Sequence, residues 1–249
     1  MVTKDDIKKA LSLAGLKAGD TAIVHSSLKA FGQVESGPDT VIDALIETAD
    51  TSGTLVLPTF TLSMQMKDNN IFDMANSKSE VGIITEVFRK RAGILRSEHL
   101  VHSVAASGKK AQEALGDGIL PCGKGSPFEF LLRENAWNLF LGAGMTSCTA
   151  LHMIEEYMGV PYRHYREYPG SFVIHPDGTK TPTKAKEYVK YPGFKNDFEK
   201  IEGIFAKAGL LNYAKAGEAK IIAARMKPIF EFIKKQVTLN PFFLVRKEA

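Results

Sequence analysis

Along the first 150 residues, apolar positions recur in two alternating rhythms. Over residues 3–13 they fall at helical spacing, with Ile7, Ala10, Leu11 and then Ala14 on one face, and Thr3 stands where a hydroxyl N-cap belongs. Residues 21–25 (Thr-Ala-Ile-Val-His) make a short buried strand that runs into the polar pair Ser26-Ser27. Pro38 opens a helix to about residue 47, its missing N–H falling in the first turn, where no internal acceptor exists. A second buried strand follows at 54–58, an amphipathic helix at 84–91 and a further strand at 101–106. Residues 109–115 read as a helix ended by Gly116, and Ser126-Pro127 opens another to about residue 134. A third buried strand covers 138–142, followed after a short loop by a helix over 148–158. Short apolar strands alternating with helices predict an α/β fold with a central mixed, mostly parallel sheet flanked by helices.

Beyond residue 160 the rhythm breaks. Pro176-Asp177-Gly178 is a tight turn between two extended runs and predicts a β-hairpin. Two helices are then expected, over 194–207 and 218–235. No repeat of 20–50 residues and no low-complexity stretch divides the chain. The reading is one domain, 1–249, carrying a C-terminal β-hairpin and helical embellishment.

Composition narrows the function classes. Of 249 residues 44% are hydrophobic and 24% charged, which excludes a disordered chain. No apolar run approaches the ~20 residues of a membrane span. The first fifteen residues carry charge every few positions and lack the apolar core of a signal peptide, so a cytoplasmic protein is expected. Cys122 and Cys148 form no disulfide framework and fit no zinc spacing. The net charge of +4 is spread along the chain without a basic, aromatic-laced stripe, which argues against nucleic acid. It is compatible with an anionic ligand.

Three segments carry candidate chemistry. His25-Ser26-Ser27-Leu28 ends the first strand, where α/β folds place ligands, and a turn through Gly32 would let backbone amides approach a phosphate; an N-cap with a buried serine is the plainer alternative. Arg96-Ser-Glu-His99 and His102-Ser103 pack two histidines, an arginine and two serines into eight residues. They lack the partner a metal site needs, so structural hydrogen bonding is the leading reading and no metal is expected. Thr149-Ala-Leu-His152-Met-Ile-Glu155-Glu156 follows the third strand. There both acids lie one helical turn beyond the histidine, the arrangement of a general base with its carboxylate or of a buried His–Glu156 pair. A Ser–His–acid hydrolase with Ser26 or Ser103 as nucleophile competes, but no G-x-S-x-G elbow is present.

Several of these segments, in this order, resemble the aminoglycoside 3-N-acetyltransferase family, the antibiotic N-acetyltransferases without the GCN5 fold. The resemblance covers about residues 5–240. It rests on His25-Ser-Ser-Leu28 with Gly32, Gly53-Thr-Leu-Val-Leu-Pro-Thr-Phe60, Gly82-Ile-Ile-Thr-Glu86, Arg96-Ser-Glu-His99 with His102-Ser103, Gly125-Ser-Pro127, and Leu139-Phe-Leu-Gly142 with Thr149-Ala-Leu-His152-Met-Ile-Glu155. It implies acetyl-CoA as co-substrate, no metal, and direct acetyl transfer to a primary amine of an aminoglycoside or related amino-sugar or antibiotic acceptor. His152 would be the general base, oriented by Asp197 or by Glu155. The pyrophosphate would lie against His25, Ser26, Ser27 and Leu28, with Arg96 or a nearby lysine on phosphate oxygens and the Ser103-Val104 backbone along the pantetheine arm. Glu86 and Glu156 would meet the acceptor. The alternatives are transfer to a nucleotide-linked or polysaccharide-precursor amino sugar, and an inactive coenzyme A-binding member. A small-molecule amine and coenzyme A are the expected partners, without nucleic acid or membrane, and a homodimer is allowed. Two departures stand out. Leu100 replaces the proline of the family's R-S-x-H-P pattern, and residues 63–76 lack the acidic cluster many members carry near the acceptor.

Overall fold

Thr3 donates its amide to the Asp6 carboxylate and accepts the Asp6 amide on its hydroxyl, so the first helix, α1 (Lys4–Ala14), starts where its capping pattern predicts. The structure, a computed structural model, describes residues 1–248. In chain order follow β1 (Thr21–Ser26), α2 (Pro38–Ala49), β2 (Thr54–Pro58), β3 (Ile71–Asp73), α3 (Ile83–Phe88), β4 (Leu95–Arg96), β5 (Val104–Gly108), α4 (Pro127–Arg133), β6 (Trp137–Leu141) and α5 (Ala150–Met158). The second half contributes β7 (Arg163–Glu167), β8 (Phe172–Ile174), β9 (Lys180–Pro182), β10 (Lys186–Lys190), β11 (Phe194–Asn196), α6 (Ile201–Lys207), β12 (Asn212–Ala216), β13 (Ala219–Arg225), α7 (Met226–Leu239) and β14 (Val245–Lys247).

Seven strands form the central sheet in the order β12-β13-β6-β1-β2-β5-β4. Only β1 pairs in parallel, with β2 on one side and β6 on the other, and every other pairing in this sheet is antiparallel. The mixed α/β class therefore holds, while the expected predominance of parallel pairs does not. The reason lies at the two ends, where β5 returns from β4 and β13 returns from β12 as local antiparallel partners. Strand alternation sorts the core: Ala22, Val24, Leu55 and Leu57 face a cluster with α1 and α2, whereas Ile23, Val56 and Phe140 face one with α4, α5 and α7.

Three other sequence expectations shift. Residues 219–225 are a strand paired to β6, so only the later part of the expected 218–235 helix, α7, is helical. Residues 194–196 are a strand against β14, with α6 starting at Ile201. Residues 109–115 keep only a short helical turn at Glu113–Leu115. The expected hairpin is present as β8 and β9 around Asp177-Gly178, and β8 also pairs with β3. A separate antiparallel ribbon, β7 with β10, stands beside α5. Both cysteines are free and buried. No helix of the described residues is long and apolar enough to cross a membrane.

Candidate active site

The carboxyl ends of β1 and β2 open into a cavity of about 610 Å³. Ser26 and Pro58 line it at the strand ends, α5 lines it through His152 and Glu156, and the adjoining β10 through Tyr188, Val189 and Lys190; Phe60, Leu62 and Met66 make up an apolar part of the lining. This is the position α/β sheets use for ligands. His152 and Glu156, four residues apart on α5, both face this space, because that spacing returns to one helix face.

His152 is the best-organised group in it. Its Nδ1 lies 2.6 Å from Glu155 Oε2. An ionised carboxylate can only accept, so Nδ1 carries the hydrogen and Nε2 keeps the lone pair. Glu155 is fully buried and accepts the Tyr162 hydroxyl at 2.8 Å on its other oxygen, while Arg163 Nη2 lies 2.9 Å from Oε2 and 3.1 Å from His152 Nδ1. Burial alone would raise the Glu155 carboxyl, yet His152, Arg163 and Tyr162 hold it below the ordinary carboxylate range. Arg163 is fixed in turn by the Tyr188 carbonyl at 2.8 Å and Asn196 Oδ1 at 3.3 Å. The Phe198 ring packs on the imidazole, 5.1 Å between centroids.

Glu156 differs from its neighbour. It accepts the Tyr165 hydroxyl at 3.1 Å on Oε1, and Oε2 is buried without a partner. Burial pushes its carboxyl up to about 7. Gly123 makes room for it, since a Cβ there would stand 2.4 Å from Glu156 Oε1. Glu187, on β10, is occupied: Gln65 and Tyr168 each donate to one of its oxygens. Beside it His102 also lines the cavity, 3.7 Å from Glu187 and edge-on to Phe60; burial lowers its ring to about 3, so it is neutral.

Of the residues expected to hold the co-substrate, His25 and Ser26 line the cavity. His25 stacks on Phe140 with its Nε2 unpaired, and burial lowers it to about 4, leaving a neutral ring; the Ser26 hydroxyl is also buried without a partner. Ser27 donates its amide to the Leu141 carbonyl at 2.9 Å and Leu28 packs its side chain against the core; neither residue lines the cavity. Arg96 is buried under β3: Nε points to Ser103 Oγ at 3.2 Å, Nη1 to the Met74 carbonyl at 3.1 Å and Nη2 to the Thr59 carbonyl at 2.9 Å. Its fork is spent on the backbone, not on phosphate. Ser103 donates its hydroxyl to the Thr59 carbonyl and its own carbonyl accepts the Thr59 amide, while Val104 exchanges bonds with Ser97, and neither residue lines the cavity.

Two acids are also relocated. Glu86 is held down to about 2: burial opposes ionisation, but Arg89, Lys90 and the Ser79 amide outweigh it, and the residue does not line the cavity. Asp197 makes its ion pair with Lys200 at 2.6 Å rather than with the histidine. Side chains alternate along an extended chain, so Asn196 takes the cavity side and Asp197 the other. Arg163, Tyr162, Glu187, Tyr165 and Lys190 went unnoticed in the sequence, where they follow no motif spacing. The segment Ser26-Ser27 and the His152-x-x-Glu155 pair are what local pattern could find. Among the described residues no three His, Cys, Asp or Glu side chains gather into a metal-binding group.

A histidine paired with a buried carboxylate thus stands at the strand ends of a mixed α/β sheet and faces a partly apolar cleft. A family model described as aminoglycoside 3-N-acetyltransferase matches residues 23–238, and the chain belongs to that family of acyltransferases. It is 27% identical to the SPbeta prophage-derived aminoglycoside N(3')-acetyltransferase-like protein YokD of Bacillus subtilis (strain 168), over 98% of this chain and 96% of that one. It is 31% identical to aminoglycoside N(3)-acetyltransferase III of a Salmonella species over 68% of this chain and 65% of that protein. The solved structure of AAC-IIIb in binary complex with CoASH superposes with a TM-score of 0.84 at 24% identity, covering 95% of this chain and 96% of that one, which establishes a common fold.

Proposed function

We propose that the protein transfers the acetyl group of acetyl-CoA directly to a primary amine of an aminoglycoside or related amino sugar, with His152 as general base. The observation that carries this reading is the His152–Glu155–Arg163 array on the cavity wall. An ammonium has no lone pair at nitrogen, so the acceptor must lose a proton before or during attack. In this scheme the ammonium first gives one proton to solvent; His152 Nε2 takes a second from the nitrogen as it bonds to the thioester carbonyl carbon, the C–S bond breaks, and that second proton passes to the departing thiolate, so that coenzyme A leaves as a thiol. Glu155 keeps the ring in the tautomer with Nε2 free and offsets the imidazolium charge as it forms.

Fit to the co-substrate is supported by two orphaned polar groups, His25 Nε2 and Ser26 Oγ, which line the cavity and await a hydrogen-bonding ligand. These two residues are the proposed contacts to the acyl-thioester end of acetyl-CoA. Further support comes from the structural relative solved with CoASH. The test is release of free thiol from acetyl-CoA across a panel of primary amines, set beside calorimetric binding of coenzyme A. Amine-dependent thiol release is expected; coenzyme A binding with no release for any amine would leave a binding protein instead.

A further inference from the structure

We propose that the acceptor is an amphipathic monoamine, with one cationic nitrogen held between His152 and Glu156 and an apolar body laid on Phe60, Leu62 and Met66. The proposal rests on the acetyl-transfer reading and narrows its acceptor. Its starting point is the count of uncommitted anionic oxygens. Among the described residues only two acidic side chains line the cavity, Glu156 and Glu187. Both oxygens of Glu187 accept from Gln65 and Tyr168, so Glu156 Oε2, buried and unpartnered, is among the described residues the one carboxyl oxygen on the lining left for a cation.

Three acids close in sequence to the lining residues Met66, Val81 and Thr85 are committed as well. Asp68 pairs with Arg166 at 2.6 Å, Glu80 accepts the amide of Ser63 at 2.7 Å and its hydroxyl, and Glu86 is closed by Arg89, Lys90 and Ser79. Against this stand two cations on the lining itself, Arg163 and Lys190, the latter donating to Asn196 Oδ1 at 2.8 Å. A ligand with several ammonium groups would have to place all but one against these cations or against hydrocarbon, where an unpaired charge is strongly disfavoured.

The apolar side of the cavity offers a different match. Phe60 is 8% exposed and forms the inner part of that wall, while Leu62 and Met66, 42% and 60% exposed, continue it towards the mouth. Val81 lines the same cavity. Covering such surface contributes roughly 25 cal/mol per Å², so an alkyl or aryl group of ordinary size adds about tenfold or more in affinity. One ammonium site beside an apolar wall selects an amine with a single charge and a hydrocarbon flank.

Four probes test this by calorimetry at 0.15 M salt with coenzyme A present, and by thiol release with acetyl-CoA: octyl 2-amino-2-deoxyglucoside, glucosamine, kanamycin and spermine. The octyl glucosaminide is expected to bind at least about tenfold tighter than each of the others, and the double variant Leu62→Asp/Met66→Asp to narrow that ratio to within about twofold. Both substituted side chains are solvent-exposed, and a thermal melt checks the fold. Kanamycin or spermine binding as tightly as the octyl compound, an unchanged ratio in the double variant, or binding of none of the four overturns the proposal. The expected binding order without thiol release would count against acetyl transfer and uphold the ligand class.

Discussion

At the scale of single residues, the two adjacent acids on α5 are set apart by their surroundings. Glu155 is held ionised by Arg163, Tyr162 and His152, and Glu156 is left in an apolar niche with one oxygen unpaired. His152→Ala should lower kcat by about 10²- to 10⁴-fold with little change in the KM for acetyl-CoA, the usual effect of losing a positioned base. Glu155→Gln is expected to fall between wild type and His152→Ala, because an amide cannot balance the imidazolium, whereas Asp197→Asn should stay near wild type, since Asp197 touches Lys200. Steady-state kinetics across pH on the three variants checks this; Asp197→Asn losing as much as Glu155→Gln would reverse the assignment. Glu156 predicts a different readout. Its carboxyl sits at about 7 in the folded chain against an ordinary 4.5, so the folded state binds that proton more tightly than the unfolded one. Stability therefore falls as pH rises between these two values, by on the order of 1–3 kcal/mol once Glu156 is ionised. Glu156→Gln should raise Tm relative to wild type at pH 8.5 and leave it unchanged near pH 4, which thermal melts at the two pH values would show.

At the scale of elements, local pattern carried the front of the fold and failed where pairing is long-range. α1, β1, α2, β2, β6 and α5 lie close to their sequence-expected places because each has a local signature: the Thr3 cap, Pro38 in the first helical turn, or an apolar run ending in polar residues. Ala219-Lys-Ile-Ile-Ala-Ala-Arg225 had no such signature. Alanine and lysine favour a helix, and pairing to β12 just before it and to β6 more than seventy residues earlier makes the segment a strand. Phe194–Asn196 is likewise a strand only because residues 245–247 lie beside it. Arg96 looked like an anion binder for a related reason: the carbonyls that absorb its guanidinium come from residues 59, 74 and 77, distant in sequence. The His152–Glu155 contact was legible, being one helical turn, while Arg163 beside it depended on how the chain leaves α5. One close approach governs the turn out of β6. Gly142 has φ +68°, and a Cβ there would stand 2.3 Å from Ala30 Cβ. Gly142→Ala should cost about 2–3 kcal/mol, a Tm drop of roughly 4–12 °C. Adding Ala30→Gly should return the steric part and leave the conformational part, so a double variant no more stable than the single would mean that the overlap is absorbed elsewhere.

At the scale of the whole molecule, the cavity is assembled from three bodies that are remote in sequence: the central sheet with its strand ends, α5, and the β7–β10 ribbon with β11. The ribbon supplies Arg163, Glu187, Tyr188 and Lys190, and β11 supplies Asn196, which accepts from both Arg163 and Lys190. β11 has a single strand neighbour, β14, near the end of the described chain. Leu244 and Val245 also enter the core cluster that includes α5 and α7, and the Leu244 carbonyl accepts the Asp197 amide at 2.9 Å. The chain's last strand thus steadies this wall of the site without touching the cavity. Deleting residues 244–249 removes two buried aliphatic side chains, a loss of about 2–5 kcal/mol by the usual cost of emptying core positions, and leaves β11 unpaired. The truncated protein is expected to melt lower and to exchange the amides of residues 194–197 faster, while those of β1 and β2 remain protected. At a temperature where it is still folded, kcat should fall with the KM for acetyl-CoA nearly kept, because the freed Asn196 loosens Arg163 and so the Glu155–His152 pair, whereas His25 and Ser26 stay on the sheet. Hydrogen exchange and kinetics on the truncated chain read both effects together. Normal protection at 194–197 with full kcat would show that the ribbon holds the wall by itself.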